Sequence, residues 1–450
     1  MVRRRPILAA LAPLSAVAQI NVNTTETHQA IRGIGYSEAF QRAGWVYNTV
    51  SEAVQQEMFD LLHDPVTGAG FSLLRIGIGA SLNSSGDHMN SIEPSPPASP
   101  DLEPTYVWDH NDSSQIWWAK EVQKRGVNLF YANSWGADWY MKSTNSTDNG
   151  GYLCGTTNAS CETGDWRAHY ANKLVRWVKF YAEEGINITH LNPLNEPDIA
   201  VPYVSMEANG QQSTDILEKL APAVKEAGLD VKITCCDWAG WENGRGILKG
   251  IQETDGEQYL DVVSGHGYGQ PLGAPYDTTR EVWQGEWAEL ASYFDQPWYS
   301  VKGDPKGTYG GGEGLTWANR IMQGFTVANV SAFFNWMGAQ PSKYARQDSY
   351  RVTAKSTTDN VTVAAWTPQT DSFPAGGNLA MQVINNADVA RTVPIKIDNL
   401  QIVNNSTVLL LNNDFDLESN DTLVVIDGTN ITATIPPRSL VVLAFDAVWS

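Results

Sequence analysis

Positive charge is scarce in this sequence. Thirty Lys and Arg face 50 Asp and Glu, a net charge of −20, which becomes −23 if Arg3, Arg4 and Arg5 leave with the amino-terminal segment. Nucleic-acid binding needs a basic face and anionic membrane surfaces attract polybasic segments, so neither is an expected partner. Charge of either sign makes up only 18% of the chain, against 42% hydrophobic residues. That excludes a disordered polyelectrolyte and leaves ample material for a core. Cysteine is limited to Cys154, Cys161, Cys235 and Cys236, an arrangement that makes no zinc site. Beyond the amino terminus no apolar run approaches the roughly 20 residues that span a bilayer. H-E-x-x-H, G-x-S-x-G and P-loop signatures are absent, which removes the signatures of zinc protease, serine hydrolase and nucleotide-binding chemistry. Gly33-x-Gly35 and Gly77-x-Gly79 lack the third glycine of a dinucleotide fingerprint. No metal or cofactor is expected.

What is present begins with a basic start, an apolar stretch and a small-x-small end, Ala16-Val17-Ala18. This is the layout of a secretory signal peptide over residues 1–18 and predicts an extracellular protein. Secretion gives meaning to about a dozen N-x-S/T sequons, among them Asn23, Asn83, Asn145, Asn187, Asn360 and Asn430. Cys154 and Cys161 flank a polar loop and are expected to pair. Cys235 and Cys236 lie in the apolar run VKITCCDW and are expected as buried free thiols. Seventeen Trp and 17 Tyr suit cores, and also clefts for flat, hydroxylated ligands such as sugars.

Eight short apolar runs recur between residues 31 and about 340: IRGIGY, FSLLRIGIG, NLFYANSW, ITHLNPLNEP, VKITCCDW, LDVVSGHGYG, REVWQGEW and SAFFNWMG. Near-continuous apolar runs suit parallel strands buried on both faces. Amphipathic segments separate most of them. In the clearest, Tyr170, Leu174, Trp177, Val178 and Tyr181 fall at helical spacing, with Asp165 placed to cap the start and Gly185 the end. The pattern predicts a (β/α)8 barrel over 30–345. From about residue 349, strand-like segments alternate with Asn, Asp and Gly turns, predicting an antiparallel β-sandwich built from 346–450 with 19–29. Only about eight residues separate SAFFNWMGAQ from the first sandwich strand, too few for an eighth barrel helix, so that helix is expected to be missing.

Barrel chemistry sits at the carboxyl ends of the strands. Glu196 closes the fourth run in LNPLNEP and Glu286 closes the seventh in VWQGEW. Two carboxyls facing one cleft, one protonated and one ionised, are what a retaining glycosidase uses. An ordinary turn at Glu196, or Glu281 or Glu289 in place of Glu286, are the alternatives. Asn195 is placed to hydrogen-bond a sugar hydroxyl. Tyr268 and Arg75 are placed to donate to Glu286 and keep it ionised. Trp135 and Trp336, at the ends of the third and eighth runs, form either a sugar floor or barrel packing. Asn90 is assigned with them to the substrate-binding side chains. His190 and His266 are expected to orient neighbours, not to ligate metal.

With these residues in view, the chain resembles fungal members of glycoside hydrolase family 30. GIGYSEAFQRAG, FSLLRIGIGASLNSSGDHMNSIEP, ITHLNPLNEPD, ITCCDWAGW and GGGEGLTWAN carry the resemblance. It implies Glu196 as acid/base, Glu286 as nucleophile, and a side β-sandwich drawn from both termini. The block SEAFQRAG looks like the group of glucuronoxylanases, and implies that Arg42 binds the uronic acid branch of xylan; pairing of Arg42 with Glu38 or another acid is the alternative. A monomer acting on a polysaccharide is expected. An endo-β-1,6-galactanase is the second reading, and a catalytically inactive carbohydrate-binding protein is the third.

Overall fold

The structure is a computed structural model that describes residues 19–288, 314–336, 349–368, 378–398, 400–412, 414, 416–427 and 430–449. Strand β1 (Ile20–Ile31) precedes the barrel. The eight apolar runs then form β2 (Gly33–Glu38), β3 (Leu73–Ile78), β4 (Leu129–Ser134), β5 (His190–Asn192), β6 (Lys232–Trp238), β7 (Val262–His266), β8 (Glu281–Trp287) and β9 (Ala332–Trp336). They are parallel and close on one another, β9 pairing with β2. The interior is filled by Leu73, Leu129, Tyr131, Val262, Trp283, Ala332 and Phe334. The rings of Tyr131, Trp283 and Phe334 lie 5.5–5.8 Å apart and make a solid floor beneath the strand ends.

Helices α1 (Arg42–Thr49), α2 (Glu52–His63), α3 (Gln115–Gln123), α4 (Arg167–Glu183), α5 (Gly210–Glu226), α6 (Trp241–Glu253) and α7 (Gly314–Thr326) surround the strands. In α4 the apolar stripe seen in the sequence is buried. The Asp165 carboxylate accepts from the Arg167 N–H at 3.1 Å. Gly185, at φ +83°, ends the helix in the left-handed region that favours glycine.

The expectation of eight βα units needs correction. The sixth crossover, residues 267–280, contains no helix. Pro271 and Pro275, with glycines 269 and 273, interrupt it, and Tyr276 anchors the loop by stacking on Trp241 at 4.2 Å. The expected absence of an eighth helix falls on residues 337–348, and the expected signal peptide on 1–18, both outside the described residues.

The carboxyl-terminal part contributes β10 (Ser349–Ser356), β11 (Val361–Pro368), β12 (Leu379–Asn385), β13 (Arg391–Asp398), β14 (Leu400–Leu411), β15 (Asp416–Ser419), β16 (Val424–Asp427), β17 (Asn430–Ile435) and β18 (Ser439–Trp449). The expected antiparallel sandwich is instead one ten-stranded sheet, ordered β15-β14-β18-β12-β11-β10-β1-β13-β17-β16. Every pairing is antiparallel except that of β1 with β13. The sequential strands that pair, β10 with β11, β11 with β12, β14 with β15 and β16 with β17, all run antiparallel, as closely connected neighbours do. β1 arrives from before the barrel and is free of that constraint. Alternation gives part of the sheet two buried faces. Val363, Ala365, Met381, Val383, Val441 and Leu443 join the sheet's own core. Ala364, Trp366, Ala380, Ile384, Val442 and Ala444 join the barrel core.

The sulfurs also differ from one expectation. Cys154 and Cys161 are bonded. Cys235 and Cys236, expected as free thiols, are bonded to each other, and the peptide between them is cis.

Candidate active site

Three strand ends bring carboxylates together. Glu196 follows β5 at φ +47°, a conformation that costs a non-glycine residue about 1–3 kcal/mol. Its N–H donates to the Asp237 carbonyl at 2.9 Å. Asp237, on β6, is itself left-handed at φ +53°. Glu286 stands near the end of β8. One carboxylate oxygen each from Glu196 and Glu286, with a ring nitrogen of His266, lie within 4.8 Å of one another.

Each carboxylate has its own surroundings. Glu286 Oε2 accepts from Arg75 Nη1 at 2.6 Å and Oε1 accepts from the Tyr268 hydroxyl at 2.9 Å. Glu196 Oε1 lies 2.9 Å from His266 Nδ1. Burial pushes the Glu196 carboxyl above the usual carboxylate range, against the pull of His266. His266 is raised to about 10: burial opposes its charge, but the Glu286 and Asp237 carboxylates outweigh it. Asp237 is held below the ordinary range, because the nearby Arg75 and His266 charges overcome the cost of its burial. The fully buried Arg75 also donates from Nη2 to Asn195 Oδ1 at 2.5 Å and to Asp237 Oδ2 at 2.9 Å. Among the described residues Glu196, His266 and Glu286 form the one group spaced to hold a metal ion. Both oxygens of Glu286 already face donors, one of them a cation, so this set is poorly suited to a second cation.

A cleft of about 300 Å³ opens over the pair, lined by Phe40, Arg42, Trp135, Tyr203, Tyr268 and Trp336 among others. Trp135 is buried, with its ring 5.0 Å from Phe40, 5.9 Å from Trp336 and 4.6 Å from the Arg75 guanidinium. Trp336 is partly exposed. Arg42 stands over the rings of Trp336 (5.0 Å) and Phe40 (5.3 Å), and pairs with Asp87 at 3.4 Å instead of Glu38. His190 lies below, against the Trp283 ring at 4.4 Å.

Asn90 is not brought to this cleft. The loop after β3 folds back so that Ser81 pairs with Asn90. Asn90 therefore lines a separate cavity of about 210 Å³ with Leu82 and Trp108, and Asp87 is the loop residue that reaches the cleft. Sequence reasoning also missed Phe40, Tyr203 and Asp237. Of these, only Asp237 carried a signal, a carboxylate at a strand end like the other two.

The sequence profile of O-glycosyl hydrolase family 30 matches residues 17–258, which include Glu196 and stop before Glu286. The chain belongs to glycoside hydrolase family 30. Within the family, it is 33% identical to the catalytic domain of xylanase C from Talaromyces cellulolyticus, covering 95% of this chain and 99% of that one with a TM-score of 0.84. A family 30 subfamily 8 xylanase from Clostridium acetobutylicum, 20% identical, shares the fold over 95% of this chain and 99% of its own, with a TM-score of 0.68. A Caenorhabditis elegans relative, named provisionally as glucosylceramidase 2, is 28% identical over 160 residues. That match takes in 33% of this chain and spans 29% of the curated relative's length.

Proposed function

We propose that this family 30 protein is a secreted retaining endo-glycosidase that cleaves β-linked xylan, with acid-branched glucuronoxylan as its preferred form. The observation that carries the reading is the pair of buried carboxylates facing one cleft, with one oxygen of each within 4.8 Å of the other, the close approach that a double displacement uses. Glu196, kept protonated by burial, gives its proton to the glycosidic oxygen as that bond breaks. Glu286 attacks the anomeric carbon from the other side and forms a glycosyl ester. Glu196, now ionised, takes a proton from water, which hydrolyses the ester and restores both groups. Arg75 and Tyr268 fix the attacking carboxylate, and Asn195, whose Oδ1 is occupied by Arg75, has its amide nitrogen to offer a sugar hydroxyl. Xylan is supported by the likeness to the Talaromyces xylanase over nearly the whole chain. Among the described residues no helix is long and apolar enough to cross a membrane.

Arg42 supplies the preference for a charged branch. The strongly acidic chain repels an anionic polymer as a whole, so a uronate needs a local cation. Glu38 sits behind Arg42, and burial pushes it up to about 8, so at mildly acidic pH it does not compete for the guanidinium. Arg42→Ala is expected to cost about 1.5–3 kcal/mol, roughly ten- to a hundredfold in kcat/KM, on glucuronoxylan and little on the carboxyl-reduced polymer. Assays on both, with β-1,6-galactan alongside, check this. Equal losses on the two xylans would leave Arg42 a structural role, and faster release from galactan would displace xylan.

A further inference from the structure

Asp237 touches Arg75, His266 and the backbone of Glu196 without lining the cleft. Its side chain is fully buried. Oδ2 accepts from Arg75 Nη2 at 2.9 Å and from the Tyr131 hydroxyl at 2.8 Å. The same oxygen lies 3.5 Å from His266 Nε2, a charge contact and not a formed hydrogen bond. Its carbonyl holds the Glu196 N–H. Oδ1 has no hydrogen-bond partner among the described residues, and it lies against Gly285, where an added Cβ would fall 1.9 Å away. The missing side chain at Gly285 is thus what admits this carboxylate between β6 and β8, one residue before Glu286.

Two buried cations, Arg75 and His266, would otherwise face two carboxylates, Glu196 and Glu286. Four such charges balance only when Glu196 is ionised, the wrong state for a proton donor. A third buried carboxylate restores balance with Glu196 protonated. We infer that Asp237 is the positioning residue that keeps the proton on Glu196, by serving as the permanent anion for His266 and Arg75. This rests on the reading of Glu196 as the acid.

The ionisable groups around the pair are Arg75 from β3, Tyr131 from β4, Asp198 and Tyr203 from the loop after β5, His266 and Tyr268 from β7 and its loop, and Glu286 from β8. Removing one anion from this set makes every remaining proton easier to lose. The basic limb of kcat/KM, which reports the proton on the acid in the free enzyme, must then move to lower pH.

Asp237→Asn keeps the shape and one acceptor oxygen for Arg75 and Tyr131, and replaces the charge and the unpartnered second oxygen by an amide nitrogen. On xylan the basic limb is expected to move down by about one pH unit or more, with kcat near pH 6 falling roughly ten- to a hundredfold. An aryl xyloside with a good leaving group needs no proton and should lose less than about fivefold. Gly285→Ala, which displaces the same carboxylate, should shift the limb in the same direction. Limb position does not depend on the fraction of folded enzyme, so partial misfolding of either variant does not obscure the result. Glu196→Gln is run in parallel and should abolish the limb. If Glu196→Gln keeps the wild-type limb, the acid assignment falls and this inference with it. If Glu196→Gln abolishes the limb while Asp237→Asn leaves it in place, the inference alone is overturned.

Discussion

Glu286→Gln is expected to bring turnover on xylan below detection while the protein still folds and binds the polymer. An amide keeps the size of the side chain and one of its two acceptor contacts with Arg75 and Tyr268, but it cannot form the glycosyl ester. Glu196→Gln is expected to behave differently. The proton it gives is worth about 10²–10⁴ in rate, so xylan hydrolysis falls by that amount. Aryl xylosides with acidic leaving groups should recover most of the first step. Azide should then speed the second step by attacking the ester in place of water. Near-normal activity of Glu286→Gln, or the same loss for Glu196→Gln on both substrate types, would contradict the assignment.

The second large effect is expected at Arg75. Its guanidinium is fully buried and bridges Glu286, Asn195 and Asp237. Arg75→Met removes the cation and strands two buried carboxylates. Breaking a buried pair from one side costs about 3–5 kcal/mol. The loss should appear as a clear drop in melting temperature at pH 7 that shrinks as the pH is lowered. Sign follows from Asp237, whose folded pKa is depressed. The stability it contributes through Arg75 is present above its unfolded value near 3.9 and fades as pH falls below that value. Arg75→Lys should rescue only part, because a point charge cannot reach all three acceptors at once. A melting temperature equal to that of the parent at both pH values would refute the structural claim for this network.

Much of the barrel was legible because its strands are buried on both faces, and such runs stand out as apolar blocks. Even β5, three residues long, lies within one of those blocks, ITHLNPLNEP. Counting eight apolar runs as eight βα units overstates the helices, because the sixth crossover, GYGQPLGAPYDTTR, has two prolines and no apolar period. In the side sheet the strands were visible by alternation. Their arrangement was not, because the place of β1 between β10 and β13 is a long-range pairing with no local signal. The bond between Cys235 and Cys236 has no local signal either, since the apolar run VKITCCDW reads equally well as a strand with two buried thiols.

The site divides along the same line. Glu196, Glu286, Arg75, Tyr268 and His266 lie on or next to strand ends, where the barrel's register decides direction, and the structure brings them together. Asn90 lies on a loop that doubles back, and nothing in the local sequence tells which of its residues returns to the cleft. Phe40 and Tyr203 reach the cleft from loops for the same reason.

The central claim is double displacement by two carboxylates on one cleft. The most direct measurement is proton NMR of the sugar released in the first minutes of xylan hydrolysis, before mutarotation. The close spacing of Glu196 and Glu286 leaves the far face of the sugar to a carboxylate. The β anomer should therefore appear first and the α anomer only as the solution equilibrates. An α anomer formed first would mean inversion, and would contradict the mechanism assigned to the pair.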